Sequence, residues 1–150
     1  MFFYGTLKRD QRNHAYCRGA LRVREAAVRG YIYALPEGYP ALLVPEEAIL
    51  AVGTEDPLRD ARTGRDPGQE EIPNPEGPAV FGELYAFDDA KERLPAIDGL
   101  EGFVPGDPAS PYRRVLIPAR TGNGATATPA WTYVAREARG PRLPGGLWPA

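Results

Sequence analysis

The chain has 150 residues, with one cysteine, one histidine and a formal net charge of −2. That length fits a single domain over residues 1–150, large enough for a core that needs no metal or disulfide staple. Arg residues are scattered among acids, so the clustered cations that nucleic acid or an anionic membrane surface requires are lacking, and neither is expected as a partner. The lone Cys17 excludes an intramolecular disulfide and a multi-cysteine metal site. With no run of transmembrane length and an apolar strand at residue 1, a cytoplasmic protein without a signal peptide is expected.

Met1-Phe2-Phe3-Tyr4 carries no polar alternation and reads as a strand buried on both faces, closed by the turn Gly5-Thr6-Leu7. Lys8 to Arg12 reads as a polar loop, and Asn13 as the cap of a short helix through Ala15, Tyr16 and Cys17 that stops near Gly19. A strand over 26–34 follows, then the turn Pro36 to Pro40, a strand from Ala41 to Val44 and a short one between Ile49 and Val52. From Gly53 to Pro78 periodicity disappears among Asp, Gly, Pro, Arg and Glu, so a surface insertion without chemistry is expected over 53–78. Ala79 to Phe87 reads as a central strand, with Phe81, Glu83, Tyr85 and Phe87 on one side and Val80, Leu84 and Ala86 on the other. Asp89 and Glu92 make a capping-box-like start to a second helix, Pro95 interrupts or restarts it, and Gly102 suits a left-handed end. Tyr112 to Ile117 and Pro129 to Val134 read as strands flanking the turn-rich Thr121 to Gly124. The tail over 140–150 reads as irregular, with Leu147 and Trp148 able to dock on the body. Many short strands with two short helices place the fold class as α+β, mostly β: a small mixed or antiparallel barrel.

Two features point to chemistry. Gly5 removes the Cβ at the strand exit, so the main chain of Gly5, Thr6 and Leu7 can approach a ligand and offer N–H groups to an anion or a developing oxyanion. The plainer reading is a strand-to-turn glycine beside a Thr bonded to its own backbone. On the second helix Leu94, Ile97 and Glu101 lie at i, i+3 and i+7, which puts a carboxyl on the core-facing stripe. The helix dipole at its C-terminus contributes only about 0.3–1 kcal/mol against ionisation, whereas enclosure can move a carboxyl by several pKa units. A Glu raised in this way is a usable general base near neutrality. The helix pattern leaves open an outward-facing Glu101, or one paired with Arg113 or Arg114. Glu83, which shares a strand face with three aromatics, is the runner-up, and Asp98, one step off the stripe, is expected to face solvent or cap a loop.

Taken in order, Tyr4-Gly5-Thr6-Leu7-Lys8, Gln11-x-Asn13-His14, Gly38-Tyr39-Pro40-Ala41-Leu42, Gly82-Glu83-Leu84-Tyr85, Ile97-Asp98-Gly99-Leu100-Glu101-Gly102 and Tyr112-Arg113-Arg114 resemble the gamma-glutamylcyclotransferase-like (AIG2-like) proteins. The likeness is nearest to the gamma-glutamylamine cyclotransferase branch and spans roughly residues 1–134, apart from 53–78. The resemblance implies a small mixed barrel with one cavity, in which Tyr4, Gly5, Thr6 and Leu7 bind the glutamyl part of the substrate. It further implies Glu101 as general acid and base, and no cofactor or metal; Tyr39, Tyr112 and Tyr133 are candidates for the cavity wall, although such tyrosines are more often barrel core with a hydrogen-bonded hydroxyl.

The implied reaction turns a γ-glutamyl amine or peptide into 5-oxoproline and free amine, the α-amine attacking its own γ-carbonyl. Attacker and target share one molecule, so no covalent enzyme intermediate is needed. An unperturbed Glu lies about 4 pKa units below an α-ammonium, a mismatch of roughly 5 kcal/mol that burial of Glu101 would narrow. Whether the Gly5–Leu7 turn holds the oxyanion or the substrate carboxylate stays open, as do the leaving amine and the choice between monomer and homodimer. The alternatives are a non-catalytic small-molecule binder on the same fold and removal of a γ-glutamyl group in a biosynthetic pathway. His14 reads as capping or packing rather than as a ligand, Cys17 as a packing thiol, and Thr6-Leu7-Lys8 lacks the residues of a phosphate loop.

Overall fold

The computed structural model describes residues 1–64, 72–73, 75–122 and 126–149. Its strands are β1 (Phe2–Phe3), β2 (Arg22–Arg29), β3 (Tyr31–Ala34), β4 (Pro40–Leu43), β5 (Ala51–Val52), β6 (Ile72–Pro73), β7 (Ala79–Ala86), β8 (Tyr112–Arg120) and β9 (Thr126–Ala135). Two α-helices join them, α1 (Pro57–Thr63) and α2 (Ala90–Glu101). The strands pair antiparallel in the order β1-β7-β2-β8-β9-β6, with β5 beside β8 and β3 paired to β4. As expected, β7 is central: Phe2 stands opposite Leu84, and Ala27 opposite Phe81. On its other side β1 reaches β9, where Thr132 Oγ1 donates to the Phe2 carbonyl at 2.9 Å and the Tyr4 hydroxyl donates to the Tyr133 carbonyl at 2.7 Å. Side chains therefore close the barrel where no ladder does.

The composition of β1 follows from what its two residues touch. Phe2 belongs to a core with Val28, Ile32, Leu42, Val80, Val115, Ile117 and Val134, and Phe3 to one with Tyr85, Phe87, Ile97, Phe103 and Tyr133. A strand with an apolar cluster on each face has no position for polar alternation. The β3–β4 hairpin gives Ile32 and Leu42 to the first cluster and Ala41 to the second. The tail is tied on by the Leu143 N–H to the Ile32 carbonyl and the Phe81 N–H to the Gly146 carbonyl, each 2.8 Å. Trp148 packs on the barrel core while Leu147 stays exposed.

Several local expectations give way to longer-range partners. The strand foreseen over 26–34 divides at Gly30, whose N–H turns to the Pro78 carbonyl at 2.9 Å, which frees β3 to pair with β4. Asn13 does not cap the short 3-10 turn His14–Cys17 with its side chain. Asp89 likewise leaves the start of α2 uncapped and grips Arg93 through both oxygens at 2.8 and 2.7 Å. Pro95 does not interrupt α2: it and Lys91, whose carbonyl loses its helical donor, are both exposed to water. Gly102 ends the helix at φ 70°, its N–H directed at the carbonyls of Asp98 and Gly99.

The largest correction falls within 53–78, read from sequence as a surface insertion without chemistry. Pro57–Thr63 form α1, with Pro57 in its first turn and Asp56 as a cap accepting from the Arg59 N–H at 3.0 Å. Its inward residue is Asp60, 2% exposed, while its apolar Leu58 is 48% exposed, so an apolar periodicity could not announce it. Residues 65–71 and 74 of that stretch lie outside the described residues. Asp60 faces Arg114 of β8, which is 0% exposed: Nη1 donates to Asp60 at 2.9 Å, Nε to Asp98 of α2 at 2.8 Å, and Nη2 to the Thr54 carbonyl at 3.2 Å. Thr54 also donates to Asp60 through its N–H and its hydroxyl, each at 2.8 Å. Removing the cation strands two carboxylates in the interior, a loss of about 3–5 kcal/mol for a buried pair broken on one side. Arg114→Met is expected to lower the urea midpoint by that much stability, and an unchanged midpoint would show that the cluster does not hold α1 and α2 to β8.

Candidate active site

The exit of β1, the β3–β4 hairpin, the start of β8 and the C-terminus of α2 converge on one cavity of ≈ 390 Å³. Tyr4, Gly5, Thr6, Leu7, Tyr39, Glu101 and Tyr112 all line it, so the structure brings these candidates into one place and leaves the runner-up Glu83 outside it. The volume lies in the range of small-molecule sites.

The turn after β1 is built tightly. A Cβ on Gly5 would stand 2.8 Å from Cγ of Pro40, so glycine is required there by the proline ring as well as by any ligand. The turn closes through the Lys8 N–H to the Gly5 carbonyl at 3.2 Å. Asn13 clamps it from outside, its N–H donating to the Thr6 carbonyl and its amide to Thr6 Oγ1, both at 2.9 Å. Among the described residues no acceptor takes the backbone N–H of Gly5, Thr6 or Leu7. Three successive donors without partners in a cavity wall form a cradle for negative charge.

Glu101 is the last residue of α2 and is largely buried in the same cavity. Among the described residues nothing hydrogen-bonds or ion-pairs with its carboxyl, which settles against pairing with Arg113 or Arg114. Arg113 instead holds Glu46 at 2.8 Å. Burial without compensation pushes the Glu101 pKa from about 4.5 to about 7. The two phenols beside it are committed donors, Tyr4 to the Tyr133 carbonyl and Tyr112 to the Pro40 carbonyl at 3.0 Å. Burial first, and then the negative charge of Glu101 among their neighbours, raises both phenols above their ordinary value. Both therefore stay neutral and keep lone pairs for a donor.

The remaining carboxyls are accounted for elsewhere. Asp98, expected at the surface, is 8% exposed and accepts from the Tyr133 hydroxyl at 2.6 Å as well as from Arg114, because the helix turns that face onto β8 and β9. Glu83 lines a different hollow with Lys8 and Arg9. Burial raises its pKa, but hydrogen bonds from Tyr85 at 2.6 Å and from Arg9 at 2.9 and 2.7 Å outweigh it and hold the group below its ordinary range, unsuited to act as a base. His14 Nδ1 lies 3.2 Å from the Leu7 carbonyl and Cys17 Sγ 3.4 Å from the same oxygen, so both pack behind the turn. Burial pushes the Cys17 thiol up to about 11, away from nucleophilic character. Sequence reasoning missed Asn13 as the clamp on Thr6 and Arg12 as a lining residue, whereas Tyr133, weighed there as cavity wall or barrel core, does line the cavity. The seven-residue spacing from Thr6 to Asn13 was the available signal, and it became meaningful only when the loop folded back. Among the described residues no group of three or more His, Cys, Asp or Glu is arranged to hold a metal, and no helix is long and apolar enough to cross a membrane.

Barrel, unpaired carboxyl and unbonded amides meet in one cavity of small-molecule size. The chain belongs to the gamma-glutamyl cyclotransferase, AIG2-like family, whose model matches residues 1–56 and 54–150. It is 29% identical over 136 residues to the gamma-L-glutamyl-butirosin B gamma-glutamyl cyclotransferase of Niallia circulans, a match that takes in 89% of this chain and 65% of that protein. In three dimensions it is similar to the uncharacterized protein PH0828 of Pyrococcus horikoshii, with a TM-score of 0.58 and 19% identity over 99% of this chain and 87% of the other. YkqA of Bacillus subtilis is similar at a TM-score of 0.60 and 18% identity, over 99% of this chain and 38% of that one. These two share the fold.

The raised Glu101 pKa has a consequence for stability. A carboxyl held at about 7 in the folded chain and near 4.5 unfolded binds its proton more tightly when folded, so stability falls as pH rises from about 4.5 through about 7. The shift corresponds to roughly 3 kcal/mol. Urea unfolding between pH 4.5 and 8 should show that decline in the wild type and lose most of it in Glu101→Gln; identical pH slopes in the two proteins would mean that Glu101 titrates normally.

Proposed function

We propose that this protein is a cyclotransferase that converts a γ-glutamyl amine or peptide into 5-oxoproline and the free amine. The observation that carries the reading is the unpaired, largely buried Glu101 in the same cavity as the free N–H groups of Gly5, Thr6 and Leu7. A protein that merely binds a ligand gains nothing from an uncompensated buried carboxyl, which favours the enzyme over a binding protein.

The chemistry runs through this chain's own groups. Glu101 takes a proton from the substrate's α-ammonium; with a carboxyl near 7 and an α-ammonium near 8 the mismatch is about 1 pKa unit, or ~1.4 kcal/mol, against roughly 5 kcal/mol for an ordinary Glu. The freed amine attacks the γ-carbonyl carbon, forming the ring C–N bond and placing negative charge on the oxygen. The N–H groups of the turn suit that oxyanion, and the lone pairs of Tyr4 and Tyr112 suit the ammonium before it is deprotonated. Protonated Glu101 then gives its proton to the departing nitrogen as the original C–N bond breaks and the oxyanion collapses to the lactam carbonyl; the regenerated carboxylate takes the second proton of the ring nitrogen and passes it to the freed amine, which leaves as an ammonium, so protons and charge balance without a covalent enzyme intermediate. The activity named for the Niallia circulans relative supports a γ-glutamyl substrate and keeps removal of a γ-glutamyl group during biosynthesis as a use of the same site. A cytoplasmic setting suits the lone buried thiol of Cys17.

A panel of γ-glutamyl amines and peptides, read by mass detection of 5-oxoproline, tests the proposal. Glu101→Gln should keep the circular dichroism spectrum of the wild type and lose activity by about 10²–10⁴-fold, the usual share of a general acid–base group. Full activity in that variant would remove Glu101 from the mechanism. Chelator treatment should leave turnover unchanged; inhibition that zinc restores would overturn the metal-free scheme.

A further inference from the structure

Among the described residues that line the Glu101 cavity, Arg12 is the one cationic side chain, as Glu101 is the one anionic. Its position is held by its neighbours: Asp10 takes a left-handed φ of 63°, and Asn13 is clamped to Thr6 through backbone and side chain. Arg12 is an exposed residue of the cavity lining, and its guanidinium has no ion pair or hydrogen bond with any described residue. Arg9, Arg93, Arg113 and Arg114 each hold a carboxylate, and none of them lines this cavity, which leaves Arg12 as the cation available to it.

This inference rests on the cyclotransferase reading above. With the glutamyl end seated against the Gly5–Leu7 turn and Glu101, the half of the substrate that extends toward the rim is the leaving amine. We infer that Arg12 is a specificity-determining residue that selects γ-glutamyl compounds whose leaving amine bears a carboxylate beside the scissile nitrogen, as in a γ-glutamyl amino acid or peptide. A guanidinium offers parallel donors that match a carboxylate, and it repels a cationic amine in the same place. Glu37, whose charge reaches Tyr112, belongs to the turn between β3 and β4 and not to the loop that carries Arg12.

Binding to the Glu101→Gln protein, which holds ligand without turning it over, isolates this step. Titration calorimetry would compare γ-glutamylalanine with γ-glutamylalaninamide, which replaces the carboxylate by a neutral group of the same shape. The carboxylate should bind about tenfold more tightly, the preference should vanish when Arg12→Gln is added, and Arg12→Lys should restore part of it. Equal binding of the two ligands, or a preference that survives Arg12→Gln, would overturn the role of Arg12 while leaving the cyclotransferase reading intact. Failure of both ligands to bind would overturn both.

Discussion

The guanidinium of Arg114 is enclosed between the rings of Phe103 and Trp131, at 5.5 and 5.2 Å, with no water-exposed surface. A charge in such a place is tolerated only when carboxylates and carbonyls satisfy it, and here they come from α1, from α2 and from Thr54. Neither helix can slide along β8 without stranding a charge. Asp98 then passes the constraint on, since the Tyr133 hydroxyl donates to it while the Tyr133 carbonyl accepts from Tyr4. Helix, barrel and cavity wall thus share one bonded chain, and Glu101, three residues beyond Asp98 on α2, inherits its position from it.

The carboxyls of this fold separate by their donors. Asp60, Asp98 and Glu83 are each met by cations, hydroxyls or N–H groups, and each serves structure. Glu101 is enclosed without such partners, and the missing compensation is what places its pKa near neutrality. Its neighbours do not offset the burial, because Tyr4 and Tyr112 spend their hydroxyl protons on backbone carbonyls and have none to offer the acid. The C-terminal end of α2 adds a dipole whose negative pole faces the same group. A carboxyl in this state costs stability, and the buried Arg114 cluster and the closed apolar barrel are the features that let the fold carry it.

Local pattern revealed much of this. The uniform apolarity of β1 reported two buried faces, the alternation around Glu83 and Tyr85 reported a central strand, and the spacing of Leu94, Ile97 and Glu101 placed an acid on an inward stripe. These features are short-range: each depends on residues a few positions apart on one element. Asn13, Asp60 and Asp98 were misread because their partners lie elsewhere, Asn13 on a returning turn and the two acids on a strand reached only after the chain has folded. An amphipathic helix such as α1, whose inward residue is charged, has no apolar signature to detect.

By itself the sequence determined the strand and helix pattern of the barrel's centre, the left-handed stop at Gly102 and the motifs that resemble one family, since periodicity and backbone preference act within a few residues. Only the tertiary structure decided that Glu101 has no partner among the described residues, that Arg114 takes Asp98 and Asp60, and that the Gly5–Leu7 amides and Arg12 stand around the same cavity. The reason is physical: protonation and pairing depend on which charges and donors lie within a few ångströms in space, and chain order does not encode that distance.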